Sequence, residues 1–114
     1  MTHSRVAYVA GKYRAADING IHDNIEMARM VGVALWSKGW APIVPHLNSA
    51  YMDGVVPPEA FLSGDLSIIR RLLPAVDIMV MLPDWQASEG ARGEYELAIE
   101  RGLVVRYWPD VEDA

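Results

Sequence analysis

The sequence contains no cysteine, and this absence excludes several kinds of chemistry. A disulfide framework, a thiol nucleophile and a thiolate metal site all require that residue. The sequence also lacks a long basic run, and its formal net charge of −5 at pH 7 argues against a nucleic-acid partner. No apolar run approaches the ~18 residues of a membrane span, and the first residues show no signal-peptide pattern. We therefore expect a cytoplasmic protein with no membrane partner.

Two ligand-binding signatures are missing as well. The three histidines are not spaced as metal ligands, so we predict no metal site. Gly90 and Gly93 do not form the GxGxxG pattern after a strand that is typical of dinucleotide binding. The sequence therefore predicts a protein that works without a cofactor.

Apolar residues make up 52% of the chain, which is enough for a hydrophobic core. Their pattern along the chain predicts strands that alternate with helices. We predict strands at 5–10, 40–44, 78–82 and 103–107. We predict helices from Asp23 or Asn24 to about Lys38, from 57 to about 73, and from 91 to 101, followed by a frayed acidic tail. This order predicts one domain, residues 1–114, with a doubly wound, flavodoxin-like or Rossmann-like α/β fold. It would be a three-layer sandwich around a parallel sheet of four or five strands.

The stretch from 78 to 96 is the best candidate for a functional site. An apolar strand ends at a proline, passes through a polar loop and enters a helix with a carboxylate in its first turns. Ligands of open α/β sheets bind at the carboxyl ends of the strands, where such loops lie. Two more polar loops, 11–23 and 45–56, follow the first two predicted strands.

Asp65 interrupts an apolar stripe. The stripe lies at helical spacing around it and comprises Phe61, Ile68, Ile69 and Leu72. A carboxylate buried without a partner is costly, so such a group is either paired or kept for function with a raised pKa. The alternative is an aspartate near a helix start that faces the rim of the sheet.

Glu94 lies in the first turns of the last predicted helix. On position alone the favoured interpretation is a solvated glutamate that interacts with the positive helix end, which would lower its pKa. If Asp65 and Glu94 meet across the end of the sheet, they form the carboxylate pair that cleavage of a glycosidic bond requires. Two aromatic residues remain open: Tyr8 is either a site hydroxyl or an ordinary sheet aromatic, and Trp85 either stacks on a planar ligand or covers the core.

Four short motifs resemble the nucleoside 2-deoxyribosyltransferase-like superfamily, especially its short bacterial and phage branch. They occur in the same order along the chain, at residues 6–11 (VAYVAG), 64–66 (GDL), 82–85 (LPDW) and 88–94 (SEGARGE). The resemblance implies that Glu94 attacks C1′ of a (deoxy)ribosyl group, that Asp65 protonates the departing base, and that Tyr8 positions Glu94 or the sugar. It also implies a homo-oligomer, since family members often build their sites near subunit contacts.

The function implied by this resemblance is cleavage or transfer at the N-glycosidic bond of a nucleoside or a nucleoside 5′-monophosphate. Ser88 favours the monophosphate, since a hydroxyl at a helix start can donate to a phosphate that a carboxylate would repel. A non-catalytic nucleotide-binding or sensing domain is the alternative, and a small interaction protein with a decayed site is a third possibility. The predicted substrate-binding residues are Gly11, Ser88, Gly90, Trp85, His46 and Asn48.

Overall fold

The fold is built around a sheet of four parallel strands, and the computed structural model describes residues 4–114 of the chain. The strands are β1 (Val6–Ala10), β2 (Ala41–Ile43), β3 (Ile78–Met81) and β4 (Val104–Tyr107). The helices are α1 (Ile18–Ser37), α2 (Pro45–Ser49), α3 (Pro58–Ile69) and α4 (Glu89–Glu100), with a short 3-10 turn at Trp85–Ala87. This architecture confirms the predicted α/β fold with a four-stranded parallel sheet. Among residues 4–114, no helix has both the length and the apolar character needed to cross a membrane.

Alternation along the strands sends successive side chains to opposite faces of the sheet, and each face carries its own hydrophobic core. Below one face lies α1, whose inward residues meet the sheet in a cluster containing Ala7, Val9, Ala28, Val31, Leu35, Ile78 and Val80. Residues of the α3 region and α4 cover the other face in a cluster containing Tyr8, Ala10, Ile69, Leu72, Met79, Met81 and Ala98. The result is three layers, helix on sheet on helix, as expected for strands that are apolar on both faces.

The first helix begins earlier than the sequence predicts. Asp17 is its N-cap, and the side chain of Asp17 accepts a hydrogen bond from the Gly20 backbone N–H at 2.9 Å. The prediction of a cap at Asp23 or Asn24 was therefore wrong, because an equally good capping side chain lies six residues upstream. The connection after β1 shortens to residues 11–17.

The C-terminal residues are ordered, in contrast to the predicted frayed tail. Val111 is buried in the α1-side core. The indole Nε1 of Trp40 donates to the Glu112 carbonyl at 2.8 Å, and the Ala114 backbone N–H donates to the Lys38 carbonyl at 2.9 Å. One apolar residue and two hydrogen bonds therefore hold this acidic segment against the end of α1.

The strand order β2-β1-β3-β4 determines where a ligand can enter. From β1 the chain moves to one side to form β2, and it then returns past β1 to form β3 on the other side. The connections that follow β1 and β3 therefore diverge and leave a crevice at the carboxyl ends of these strands. This crevice is the place in the fold where the candidate site lies.

Candidate functional site

A pocket of about 580 Å³ opens at this crevice. Its lining comes from the end of β1 and residues 11–14, from α2 and the loop after it, from α3 as far as Asp65, and from residues 87–94 at the start of α4. Asp65 and Glu94 both belong to its lining. The two carboxyls that the sequence singled out therefore face one cavity.

Tyr8 and Glu94 form a buried hydrogen bond, and of the two only Glu94 lines the pocket. Tyr8 is fully buried in β1, and its hydroxyl donates to Oε2 of Glu94. Glu94 is only 7% exposed. The pairing arises because Tyr8 points to the face of the sheet that α4 covers. The structure thus brings Tyr8, Asp65 and Glu94 together, as the sequence predicted.

The ionisation of Glu94 differs from the expectation. Burial raises the pKa of Glu94 to about 8; the hydrogen bond from Tyr8 lowers it, and the nearby charge of Asp65 raises it. The predicted lowering of the Glu94 pKa by the helix end is wrong, because Glu94 is the sixth residue of α4 and is buried. Dipole effects fall off within the first turn, whereas desolvation of a carboxylate acts wherever water is excluded.

Asp65 is half-buried on α3, and burial raises its pKa to about 6. The direction of this shift agrees with the sequence-based expectation. Burial therefore favours the protonated form of both carboxyls, and it acts more strongly on Glu94, which is the more deeply buried of the two. Burial raises the pKa of Tyr8 far above its usual range, with Glu94 and Asp65 adding to the effect, so Tyr8 remains a hydrogen-bond donor.

Ser88 caps the helix that carries Glu94. Its Oγ accepts from the Ala91 backbone N–H at 3.1 Å, and α4 begins at Glu89, two residues before the predicted start. An accepting hydroxyl keeps its own proton available for donation. Ser88 and Gly90 both line the pocket, so the helix start is accessible to a ligand.

Gly11 forms the wall of the pocket at the end of β1. A Cβ atom at this position would lie 2.7 Å from Cβ of Leu82, which is closer than side-chain atoms can approach. Glycine therefore allows the chain after β1 to pass closely over the end of β3, beside the pocket.

Two predicted binding residues lie on the short helix α2, but only one reaches the pocket. His46 is 5% exposed and lines the pocket, whereas Asn48 is exposed and lines a separate groove beside α1. Residues two apart on a helix point to opposite sides. The sequence treated 45–56 as a loop and could not separate the two; the structure places Asn48 outside the site.

Trp85 does not line the pocket either. Its ring stacks on Tyr95 of α4, with centroids 4.5 Å apart and an interplanar angle of 27°. Trp85 also packs against the core beneath α4. This position agrees with the interpretation in which Trp85 covers the core and not with the one in which it stacks on a ligand.

A family model described as a domain of unknown function, DUF4406, matches residues 6–107. The chain belongs to that family. No curated protein matches the sequence significantly. Residues 6–107 include all three residues of the Tyr8–Asp65–Glu94 cluster and the whole sheet.

Several residues that the sequence did not assign to binding also line the pocket in this domain. Ser49 lies one helical turn from His46, a spacing that would have identified it had α2 been predicted. Tyr13 and Asp53 join the two loops beside the pocket through a hydrogen bond of 2.5 Å between the Tyr13 hydroxyl and Asp53 Oδ2. The cations of the lining are Lys12 and Arg14, and its carboxyls are Asp53, Glu59, Asp65, Glu89 and Glu94.

The described part of the chain, residues 4–114, holds no group of three or more histidine, aspartate or glutamate side chains that could bind a metal ion. The pocket itself is lined by carboxyls and hydroxyls, which are groups of the kind that act as nucleophiles, proton donors and hydrogen-bond donors.

Proposed function

We propose that this protein cleaves or transfers the N-glycosidic bond of a nucleoside or nucleoside 5′-monophosphate in the cytoplasm, with Glu94 as the nucleophile. The observation that carries the proposal is the buried hydrogen bond from Tyr8 to Glu94, which lines the same pocket as Asp65. Two carboxyls on one cavity are what glycosidic cleavage uses, either directly or through a covalent intermediate. The covalent route is the one that the resemblance implies. The resemblance of the four motifs to the deoxyribosyltransferase-like superfamily supports the same assignment of residues.

The reaction follows from the roles of the three side chains. In the productive form Glu94 is ionised and Asp65 is protonated. The Glu94 carboxylate attacks C1′, the bond between C1′ and the base nitrogen breaks, and the base leaves with the bonding electron pair and the Asp65 proton. Water or a second base then attacks C1′, loses a proton to Asp65 and releases Glu94. Tyr8 stabilises the ionised form of Glu94 by donating to it throughout.

The charges of the lining favour one substrate class, and the Ser88 hydroxyl favours the other. Five carboxyls and two cations surround the cavity, and a phosphate would meet mostly like charge, which favours the uncharged nucleoside. The opposite argument comes from Ser88, whose hydroxyl and helix start offer a phosphate the donors it needs. Both substrate classes therefore belong in the test.

The test is incubation of the protein with nucleosides and their 5′-monophosphates, covering ribose and 2′-deoxyribose and the common bases, with free base measured by chromatography. A second base added to the same reactions separates transfer from hydrolysis. We expect base release from one of these classes. A folded protein that releases base from no member of the panel contradicts the enzymatic proposal.

A non-catalytic nucleotide-binding or sensing domain remains the second candidate, because one observation favours it. Burial raises the pKa of Glu94 to about 8, which favours the neutral form of this carboxyl. A neutral carboxyl binds ligands by hydrogen bonding but does not attack them. Saturable nucleotide binding without base release would select this candidate.

We also propose that the protein forms a homo-oligomer through the outer face of α1. Three large apolar side chains are exposed there: Met30 (58%), Val33 (53%) and Trp36 (63%). Large apolar side chains exposed at neighbouring positions of one helix are typical of an interface. Sedimentation velocity at micromolar concentration should give a mass above 12.7 kDa, and a Val33→Ser, Trp36→Ser double variant should sediment as a monomer. A monodisperse monomer of the unmodified protein contradicts the proposal.

A further inference from the structure

The two walls of the pocket that α3 and α4 form are acidic. These helices pack against each other, and the charged side chains that they contribute to the lining are all carboxyls: Glu59, Asp65, Glu89 and Glu94. In the described part of the chain, both cations of the lining come instead from residues 12–14, after β1. A ligand group held against α3 and α4 therefore has carboxyls as its charged neighbours on that side.

The two cations of the lining are weakened by their surroundings. Nζ of Lys12 lies 3.9 Å from Oδ2 of Asp84, a carboxylate that does not line the pocket. Arg14 is exposed to solvent, where water and salt screen its charge. Glu94 is buried and Asp65 is half-buried, so their charges are screened less. The charges of the lining therefore favour a positive group in the pocket.

Phe61 adds an aromatic ring to the acidic wall. It is the one phenylalanine of the sequence, it is half-buried and it lines the pocket. Within residues 4–114 it belongs to neither of the two hydrophobic cores. Phe61 and Asp65 lie four residues apart in α3, so they share one face of the helix. An aromatic face attracts a cation, and a neighbouring carboxylate adds to the attraction, so this pair suits a flat, positively charged ring.

A positive charge on the ligand also favours the form of Glu94 that reacts. Burial raises the pKa of Glu94 and so favours its neutral form, whereas the proposed attack on C1′ needs the carboxylate. A neighbouring positive charge favours the ionised form of a carboxyl. A ligand with a positive base therefore promotes ionisation of the nucleophile when it binds, and a ligand with a neutral base lacks this effect.

We propose that the preferred substrate is a nucleoside whose base is a positively charged aromatic ring, with Phe61 against the face of the ring and the Asp65 carboxylate as its counter-ion. A pyridinium ring joined to C1′ through its nitrogen is the simplest base of this class. The inference rests on the proposed function for the bond that is cleaved, and it names the substrate class of that same site. Phe61 and Asp65 are then the residues that determine specificity.

Such a base leaves without a proton. The Glu94 carboxylate forms a bond to C1′, the bond between C1′ and the ring nitrogen breaks, and its electron pair passes to that nitrogen. The positive charge of the ring disappears, and the base departs as a neutral molecule. Water then attacks C1′, releases Glu94 and loses one proton to the solvent. Asp65 supplies a proton to a neutral base, whereas it stays ionised beside a cationic one.

Two ligands that differ in one ring atom test the preference. Nicotinamide riboside has a pyridinium nitrogen at C1′, and benzamide riboside has a carbon atom there and is neutral. Binding of each to the Glu94→Gln variant, which cannot turn them over, is measured by calorimetry. The measurement is made at pH 8, because burial raises the pKa of Asp65 to about 6. We expect nicotinamide riboside to bind about 10-fold more tightly.

Substitutions of the two specificity residues, each added to Glu94→Gln, assign the preference. Asp65→Asn should bring the ratio of the two affinities to about one and leave binding of benzamide riboside unchanged. Phe61→Leu should lower the ratio about threefold, and Phe61→Tyr, which keeps the aromatic face, should restore it. Glu96→Gln is the matched control, because it removes a charge from an exposed position of α4 outside the lining. It should leave the ratio unchanged.

Equal affinities of the two ligands would overturn the inference, as would a ratio that Asp65→Asn leaves unchanged or failure of both ligands to bind. Circular dichroism of each variant shows whether it is folded. If Asp65→Asn does not fold, salt dependence takes its place. The ratio should then fall in about 1 M salt, where the Debye length is about 3 Å, and a ratio that does not fall contradicts the inference.

Cleavage by the unmodified protein is measured separately, and we expect nicotinamide to be released faster than the base of any neutral nucleoside. A preference for nicotinamide riboside in binding, without release of any base, supports the ligand class and removes the enzymatic proposal. Base release from neutral nucleosides, with equal affinity for nicotinamide riboside and benzamide riboside, does the opposite. The two proposals can therefore fail independently.

Discussion

Glu94→Gln should lower base release by on the order of 10⁴-fold or more, because an amide cannot attack C1′ as a carboxylate does. Glutamine is the right substitution because Glu94 is buried and accepts the hydrogen bond of Tyr8. Its side chain has nearly the same shape, and its amide oxygen can accept from the same hydroxyl. Alanine would leave a cavity and an unpaired hydroxyl, which would confuse loss of chemistry with loss of structure. The measurement is the initial rate on the best substrate of the panel.

Glu96→Gln is the matched control, since Glu96 lies on the same helix but is exposed. We expect it to retain nearly full activity. Asp65→Asn keeps the nucleophile and removes the proton, so it should slow release most for bases that leave poorly without protonation. Unchanged turnover in a folded Glu94→Gln protein would end the proposed mechanism.

Stability should fall as pH rises from 5 to 8. The folded pKa of Glu94, about 8, lies above its ordinary value of 4.5, so the folded state binds more protons than the unfolded state between these values. The free energy of unfolding then decreases with pH across this window, by on the order of a few kcal/mol. Asp65 shifts in the same direction and adds less, since it is only partly buried. Thermal denaturation at pH 5 and pH 8 should differ by on the order of 10 °C.

In Glu94→Gln most of this pH dependence should disappear, because the amide does not titrate. The variant should match the parent protein at pH 5 and exceed it in melting temperature at pH 8, while Glu96→Gln follows the parent at both. A parent protein whose melting temperature is equal at the two pH values, or rises, would show that Glu94 is not desolvated in solution. Burial of the Glu94 carboxylate would then not lower the stability of the folded protein.

Local sequence signals predicted the sheet because a strand that is buried on both faces consists of a continuous apolar run. The apolar run after Asp77 is buried on both faces, and each predicted strand overlaps an observed one. The predicted start of a helix was wrong where two capping residues competed. Asp17 and Asp23 are both good caps, and only packing of the first turns decides between them. The five residues of α2 are too few to show a period, so the sequence predicted a loop there.

The sequence identified the residues of the candidate site better than it predicted their burial and their pKa values. Asp65 stood out because a carboxylate within an apolar stripe is unusual at any position. Glu94 gave no such signal, because its burial depends on Tyr8 and on α3, which are remote in sequence. Trp85 and Asn48 were assigned from their places in polar loops that follow predicted strands, and neither side chain reaches the pocket. The direction in which a side chain points from a short helix or turn can be predicted only when the backbone conformation is known.

The open edge of β2 has a consequence for how the protein avoids fibrils. The Ala41 backbone N–H donates inward to the Arg5 carbonyl at 2.8 Å, so its neighbour Pro42 is the residue of this strand that faces outward. Proline has no N–H, and an incoming strand therefore finds no backbone donor along these three residues. Strand-by-strand growth, the first step towards cross-β aggregates, is blocked on that side of the sheet.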